Sequence, residues 1–446
     1  MESLESQIAE WRRFVEQSPA VDGRDADELE AHLRDQVADL SAAGLAADEA
    51  FLVAVKRMGT VHDLSREFAR EHSGRLWKQL VLSGGEEEEE DASRWPEVLL
   101  FAVAAAVAVQ VARLISGFPD EESFWFVRNA SLLVLPFLAG WFARQRRLPF
   151  RQWLLTAGAF VIAAILVNVY PYGDGSSTEL LVVAHLPVLL WFMAAYAYVG
   201  GDVESPDRRM HFVRFTGEWF IYYVLIALGG GVLTGLTAGL LEGTGVDLEQ
   251  LALWVLPAGA AGAVIVAAWL VESKQRVIEN MAPVLTMIFT PLFAVMLAVS
   301  VVVYAATGLG GVFDRELLGL FDALMVVVLG LVLYGMSARD PSRPPGWMDR
   351  VQLVAVGSAL ALDLMVLGVM VARIGEFGFT PNRTAALGLN LVLLVNLAGA
   401  AWLSVRFLMR KTIFHRLERW QTNYLPVFAL WAATVVVVLP PLFGFN

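Results

Sequence analysis

The chain has 446 residues, 57% of them hydrophobic, and its mean hydropathy of +0.57 makes the bilayer the expected solvent. Its net charge of −12 gathers at one end: residues 1–94 carry 22 acids and 11 bases, the rest 23 and 22. An acidic head on a near-neutral body excludes nucleic acid as a partner, and the lack of cysteine excludes disulfides and thiolate metal sites.

The opening residues, Met1-Glu2-Ser3-Leu4-Glu5, are acidic and have no apolar core. No cleavable signal peptide is expected, so the head should stay on the side of synthesis. Two apolar stripes at helical spacing follow, Leu4-Ile8-Trp11 with Phe14 or Val15, and Leu29-Leu33-Val37-Leu40. Gly44 reads as the residue ending the second helix. A third helix is predicted from Asp48 to Met58, burying Phe51, Leu52 and Val55. Gly59 ends it, and Thr60 with Asp63 caps a fourth that carries Leu64 and Phe68. So few residues make a marginal core, one that leans on a cytoplasmic protein partner, a second copy or the membrane body.

The strings Glu28-Leu29-Glu30-Ala31-His32-Leu33-Arg34-Asp35, Ala43-Gly44-Leu45, Asp48-Glu49-Ala50-Phe51 and Val55-Lys56-Arg57-Met58-Gly59 resemble the permease-prefix helical domain. Ala46 departs from it, standing where a Ser or Thr cap usually precedes the third helix. The resemblance covers residues 1–72 and implies a signalling or regulatory head on a bacterial membrane protein. A generic helical bundle is the alternative. Residues 73–94 are read as a linker. Arg75, Leu76, Trp77, Lys78, Leu80 and Val81 suit the headgroup zone, and the acidic run Glu86–Asp91 suits a solvated spacer.

From residue 95 onward the expected architecture is an all-α polytopic bundle of eleven spans, near 96–116, 124–143, 152–170, 180–200, 215–241, 251–271, 282–306, 317–337, 351–372, 384–405 and 424–443. Connections after even-numbered spans hold seventeen Lys and Arg; the opposite ones hold three, Arg315, Arg373 and Arg383. The positive-inside rule then puts the head in the cytoplasm and residue 446 outside, and the permease-prefix resemblance implies that the membrane is a bacterial inner membrane. The loop Arg410 to Gln421 alternates basic and apolar groups, like a short helix on the anionic inner leaflet.

Ionisable residues at membrane depth are functional candidates by default. Asp363 leads, near the middle of span nine, either as a proton or cation relay or as a hydrogen-bonded helix contact to Asn390 or Asn396 on span ten. Asp322, Glu218, Arg113 and Arg128 are lesser candidates, with snorkelling to the outer interface as the alternative for the two arginines; His185 is expected to pack. No histidine spacing suits a metal, and no cofactor is implied. Gly229, Gly230, Gly231, Gly235 and Gly239 in span five suit close helix packing or an unwound, ligand-facing break. Pro187, Pro283 and Pro291 are further kink points.

Between spans nine and ten, Thr380 and Pro381 read as N-cap and first turn of span ten, and Arg373, Glu376 and Arg383 as a surface charge cluster. The string Arg373, Glu376, Phe377-Gly378, Thr380-Pro381-Asn382-Arg383 resembles the signature of an uncharacterised bacterial family of polytopic membrane proteins, which implies architecture but no chemistry. No hydrolase elbow, phosphate loop or metalloprotease motif supports an enzyme. Two functions remain open: transport or conduction regulated by the head, and a sensor or scaffold that relays envelope or lipid state to a cytoplasmic partner.

Overall fold

The computed structural model describes residues 4, 8, 11, 12, 23–42, 50, 51, 53, 54, 84–117, 124–173, 175–241, 248–273, 281–307, 315–341 and 343–446. The chain divides into two compact units, Met1–Arg94 and Trp95–Asn446. In the first, helix α1 (Gly23–Ala42) buries Leu33, Val37 and Leu40 against Ile8, Ala50, Phe51 and Ala54. Arg12 and Arg34 both bond Glu30, at 2.7 and 3.0 Å, and hold its carboxyl below the usual glutamate range. Gly44, the cap of the fourth helix and the headgroup-zone residues 75–81 lie outside the described residues.

The acidic run expected as a solvated spacer is helical: α2 is Gly84–Ser116 and includes Glu86–Asp91. Glutamate is a good helix former, and acids at a helix N-terminus oppose the end charge of the backbone dipoles.

Ten more long helices follow: α3 (Phe124–Gln145), α4 (Phe150–Val169), α5 (Ser177–Tyr198), α6 (Pro206–Leu241), α7 (Leu248–Ser273), α8 (Met281–Thr307), α9 (Arg315–Ser337), α10 (Trp347–Phe377), α11 (Pro381–Leu408) and α12 (Phe414–Val437). A single turn, α13 (Leu439–Leu442), closes the series. Every regular element among the described residues is a helix. Nine helices, α2–α8, α10 and α11, are long and apolar enough to cross a membrane; the described apolar part of α9 is shorter, and α12 opens with a polar segment. Their outward faces carry large apolar side chains, such as Ile115 at 77% exposed and Leu240 at 83%. Trp95, Trp153 and Trp347 lie near the helix ends that carry arginine, and Trp125 and Phe377 near the opposite ends, as aromatic belts do. Apolar exposure on this scale needs lipid rather than water. The protein is a multi-pass membrane helix bundle.

Two cores fill the body. One joins α2–α7 around Trp141, Phe142, Tyr198 and Phe215; the other joins α8–α12 around Met325, Val356, Leu362 and Leu397. Helix α12 belongs to both, giving Phe414 and Leu417 to the second core and Ala432 and Val436 to the first. Pro426 lies between these segments. The stretch Phe414–Gln421 is the start of α12, burying Phe414, Leu417 and Gln421 and leaving Arg416 and Arg419 exposed, where a separate short helix on the inner leaflet was expected. Its apolar side chains find a protein core, which competes well with the headgroup region.

The glycines of span five do neither thing expected of them. Helix α6 runs unbroken through Gly229–Gly231, and a methyl group added at any of Gly229, Gly230, Gly231, Gly235 or Gly239 would meet nothing within 4 Å. The glycines that receive neighbours are elsewhere. Added methyls at Gly388 and Gly399 on α11 would fall 1.9 and 2.2 Å from the rings of Trp431 and Trp420 on α12.

Candidate functional site

Asp363 stands at the centre of α10, sixteen residues from Trp347 and fourteen from Phe377, about 24 and 21 Å along the axis. It is 0% exposed, and neither carboxylate oxygen has a hydrogen-bond partner. The expected contact to Asn390 or Asn396 is not made. Asn390 donates instead to Asp322 on α9 and to its own Ala386 carbonyl, both at 2.8 Å. Asn396 donates to Gln421 Oε1 on α12 at 2.9 Å. Asp322 lies near enough for its charge to act on Asp363, so two carboxyl groups and an amide share the space between α9, α10 and α11.

Connectivity explains this placement. The tight turn at 378–380 makes α10 and α11 an antiparallel pair. Gly378 adopts φ +74° and closes α10, while Thr380 accepts from Arg383 N at 3.4 Å and caps α11 ahead of Pro381. Asn396 is fifteen residues past Pro381, about 22 Å, and so lies at nearly the depth of Asp363. Its Oδ1 is buried without a partner, as are Gln421 Nε2 and Asn390 Oδ1. A buried acceptor or donor left unpaired costs about 1–3 kcal/mol. The row thus offers mostly acceptors, the chemistry that binds protons, hard cations or water.

The α11–α12 seam fixes this row. On one face of α11, Trp431 covers Gly388, Tyr424 donates to the Val392 carbonyl at 2.9 Å, Gln421 meets Asn396, and Trp420 covers Gly399. The Trp420 indole also donates to the Asn396 carbonyl at 3.1 Å. Gln421, the two glycines and the tryptophans build the surroundings of this row and are positions the sequence reading missed. The eleven-residue step from 388 to 399, three helical turns, is the signal that marks them.

Other expected residues sort differently. Arg113 does not snorkel: it is buried over Trp254 at 4.4 Å and bonds Gln110. Arg128 pairs with the buried Glu179 and covers Tyr172 at 4.9 Å. Burial pushes the Tyr172 phenol well above its ordinary value, so it stays neutral beside that pair. In both cases an acidic or aromatic partner on another helix outcompetes the interface. His185 bonds the Leu181 carbonyl at 2.9 Å, as a packing histidine. Glu218 is buried on α6. The charge cluster of the 373–383 loop does not form; Arg383 caps the carbonyls of Phe377 and Gly378 at 3.1 and 2.9 Å, and among the described residues Arg373 and Glu376 make no ion pair. Among the described residues no group of three His, Asp or Glu side chains is arranged to hold a metal ion.

Comparison with protein-family models, with curated proteins and with solved structures finds no match for this chain.

Proposed function

We propose that the membrane body transports a proton or a monovalent cation on Asp363, and that residues 1–72, the part resembling a permease prefix, regulate it from the cytoplasm through a protein partner or a second copy. One observation carries the reading: a carboxyl group at the centre of a 31-residue helix, fully buried, with both oxygens unpartnered by protein. A carboxylate that served only to hold two helices together would have its hydrogen bond. One that loads and unloads a cation needs free oxygens between events. Asp322, held by Asn390, supplies a second negative charge that strengthens attraction for a cation.

The test is Asp363→Asn in reconstituted vesicles. Flux should fall to that of protein-free vesicles while the protein still elutes as a folded species. Flux equal to wild type would remove the basis for transport and favour the sensor or scaffold, for which Asp363 is dispensable.

A further inference from the structure

A cavity of about 170 Å³ lies between the first turns of α6 and α12, lined by Asp207, His211 and Arg214 on one side and His415, Glu418 and Thr422 on the other. The helix ends around it carry the arginine-rich connections. Thr422 is eight residues into α12, so the cavity reaches about 12 Å along that helix. On its wall His415 Nδ1 lies 3.3 Å from Glu418, and His415 Nε2 lies 3.2 Å from Arg419.

Two further features point inward from this cavity. Pro426 has no N–H to give the Thr422 carbonyl four residues before it, so α12 lacks one helix bond in the turn beside the cavity. Gln421, in the same turn as Thr422, bonds Asn396, and the bonded pair keeps one free donor, Gln421 Nε2, and one free acceptor, Asn396 Oδ1. Asn396 lies at the depth of Asp363 on the adjoining helix. A donor and an acceptor side by side orient a water molecule between them.

We propose that this cavity is the vestibule through which protons reach Asp363, and that the Gln421–Asn396 pair is the gate between them. The inference rests on the transport reading and names its ion. A hydronium in the vestibule gives its proton, through water held at the gate, to the Asp363 carboxylate; the product is a neutral carboxylic acid and a water returned to the vestibule. His415 and Glu418 line the mouth. The two amides do not ionise and act as positioning residues.

The absence of cysteine allows a clean test of the route. Single-cysteine variants Thr422→Cys and Asn396→Cys are treated with a small membrane-impermeant thiosulfonate, applied separately to each side of oriented vesicles. Thr422→Cys should react from the arginine-rich side, and Asn396→Cys from that side at least about tenfold more slowly. Adding Gln421→Ala should remove most of that difference. Reaction of Asn396→Cys from the opposite side alone, or of neither variant from the arginine-rich side, overturns the vestibule; Gln421→Cys serves if Asn396→Cys does not fold. Separately, a pH dye inside the vesicles reports the ion. Gln421→Leu should slow proton uptake from the arginine-rich side about tenfold, with the pH profile of uptake shifted in Glu418→Gln. Flux carried by sodium but not protons overturns the proton assignment and leaves transport standing. Wild-type flux no greater than that of Asp363→Asn defeats the transport reading, and the labelling still decides the route.

Discussion

Trp420 and Trp431 pack against α11 at two places where any side chain larger than hydrogen would collide with them. Gly388 and Gly399 are therefore packing requirements, and each Gly→Ala change there should destabilise the protein by about 1–3 kcal/mol through overpacking. Gly231→Ala and Gly235→Ala meet nothing and should be neutral or stabilising by about 0.5–1 kcal/mol, the ordinary gain of alanine over glycine in a helix. Thermal unfolding in detergent compares the four directly. A loss at Gly235→Ala as large as at Gly399→Ala would mean that a second helix covers this face of α6. The sequence marks α6 because its glycines are four apart; the pair that matters is eleven apart, and its aromatic partners are on another helix. Spacing within one helix is visible in a sequence, whereas the neighbour that fills the gap is not.

Arg339 joins three elements at the arginine-rich end. It bonds Asp349 at 2.8 Å and the carbonyls of Asp340, Arg343 and Pro344, and it lies over the adjoining rings of Phe407 and Phe414 at 4.8 and 4.4 Å. One planar guanidinium thus closes the α9–α10 turn and ties it to α11 and α12. Lysine keeps the charge but loses the fork and the stacking. Arg339→Lys should cost about 2 kcal/mol, read as a lower midpoint of unfolding, and should lower proton uptake only in proportion to the folded fraction. Uptake lost without any change in the unfolding midpoint would place Arg339 in the route itself. In the sequence Arg339 was one of seventeen loop cations, counted for the side it faces. Its role depends on two phenylalanines 68 and 75 residues away, which no local pattern reveals.

At the scale of the whole molecule, long apolar runs made the helices legible: the eleven expected spans fall on the helices α2–α12, nine of which are long and apolar enough to cross a membrane, because a span must satisfy its own backbone and exclude charge over about 20 residues. Asp363 was legible for the same reason, as a charge inside such a run. Its neighbours were not, since which face of α10 meets α9, α11 or solvent depends on packing among helices that share one apolar composition. Sidedness has a direct test in this cysteine-free chain. Single cysteines placed at Arg147 and at Asn446 should react with an impermeant maleimide from opposite sides of the membrane, Arg147 from the cytoplasm. Labelling of both from one side would mean an even number of crossings between them and would reverse the assignment of the vestibule.

Helix α12 is gripped by one core over its first two turns and by the other near its far end, with a proline between the two grips. Densely packed interiors pass displacement on rather than absorb it. Should the two halves rock against each other, the bend must therefore concentrate in the few residues around Pro426. That hinge adjoins the turn holding Gln421 and Thr422, so a tilt of one half against the other and the parting of the amide pair would be a single mechanical event.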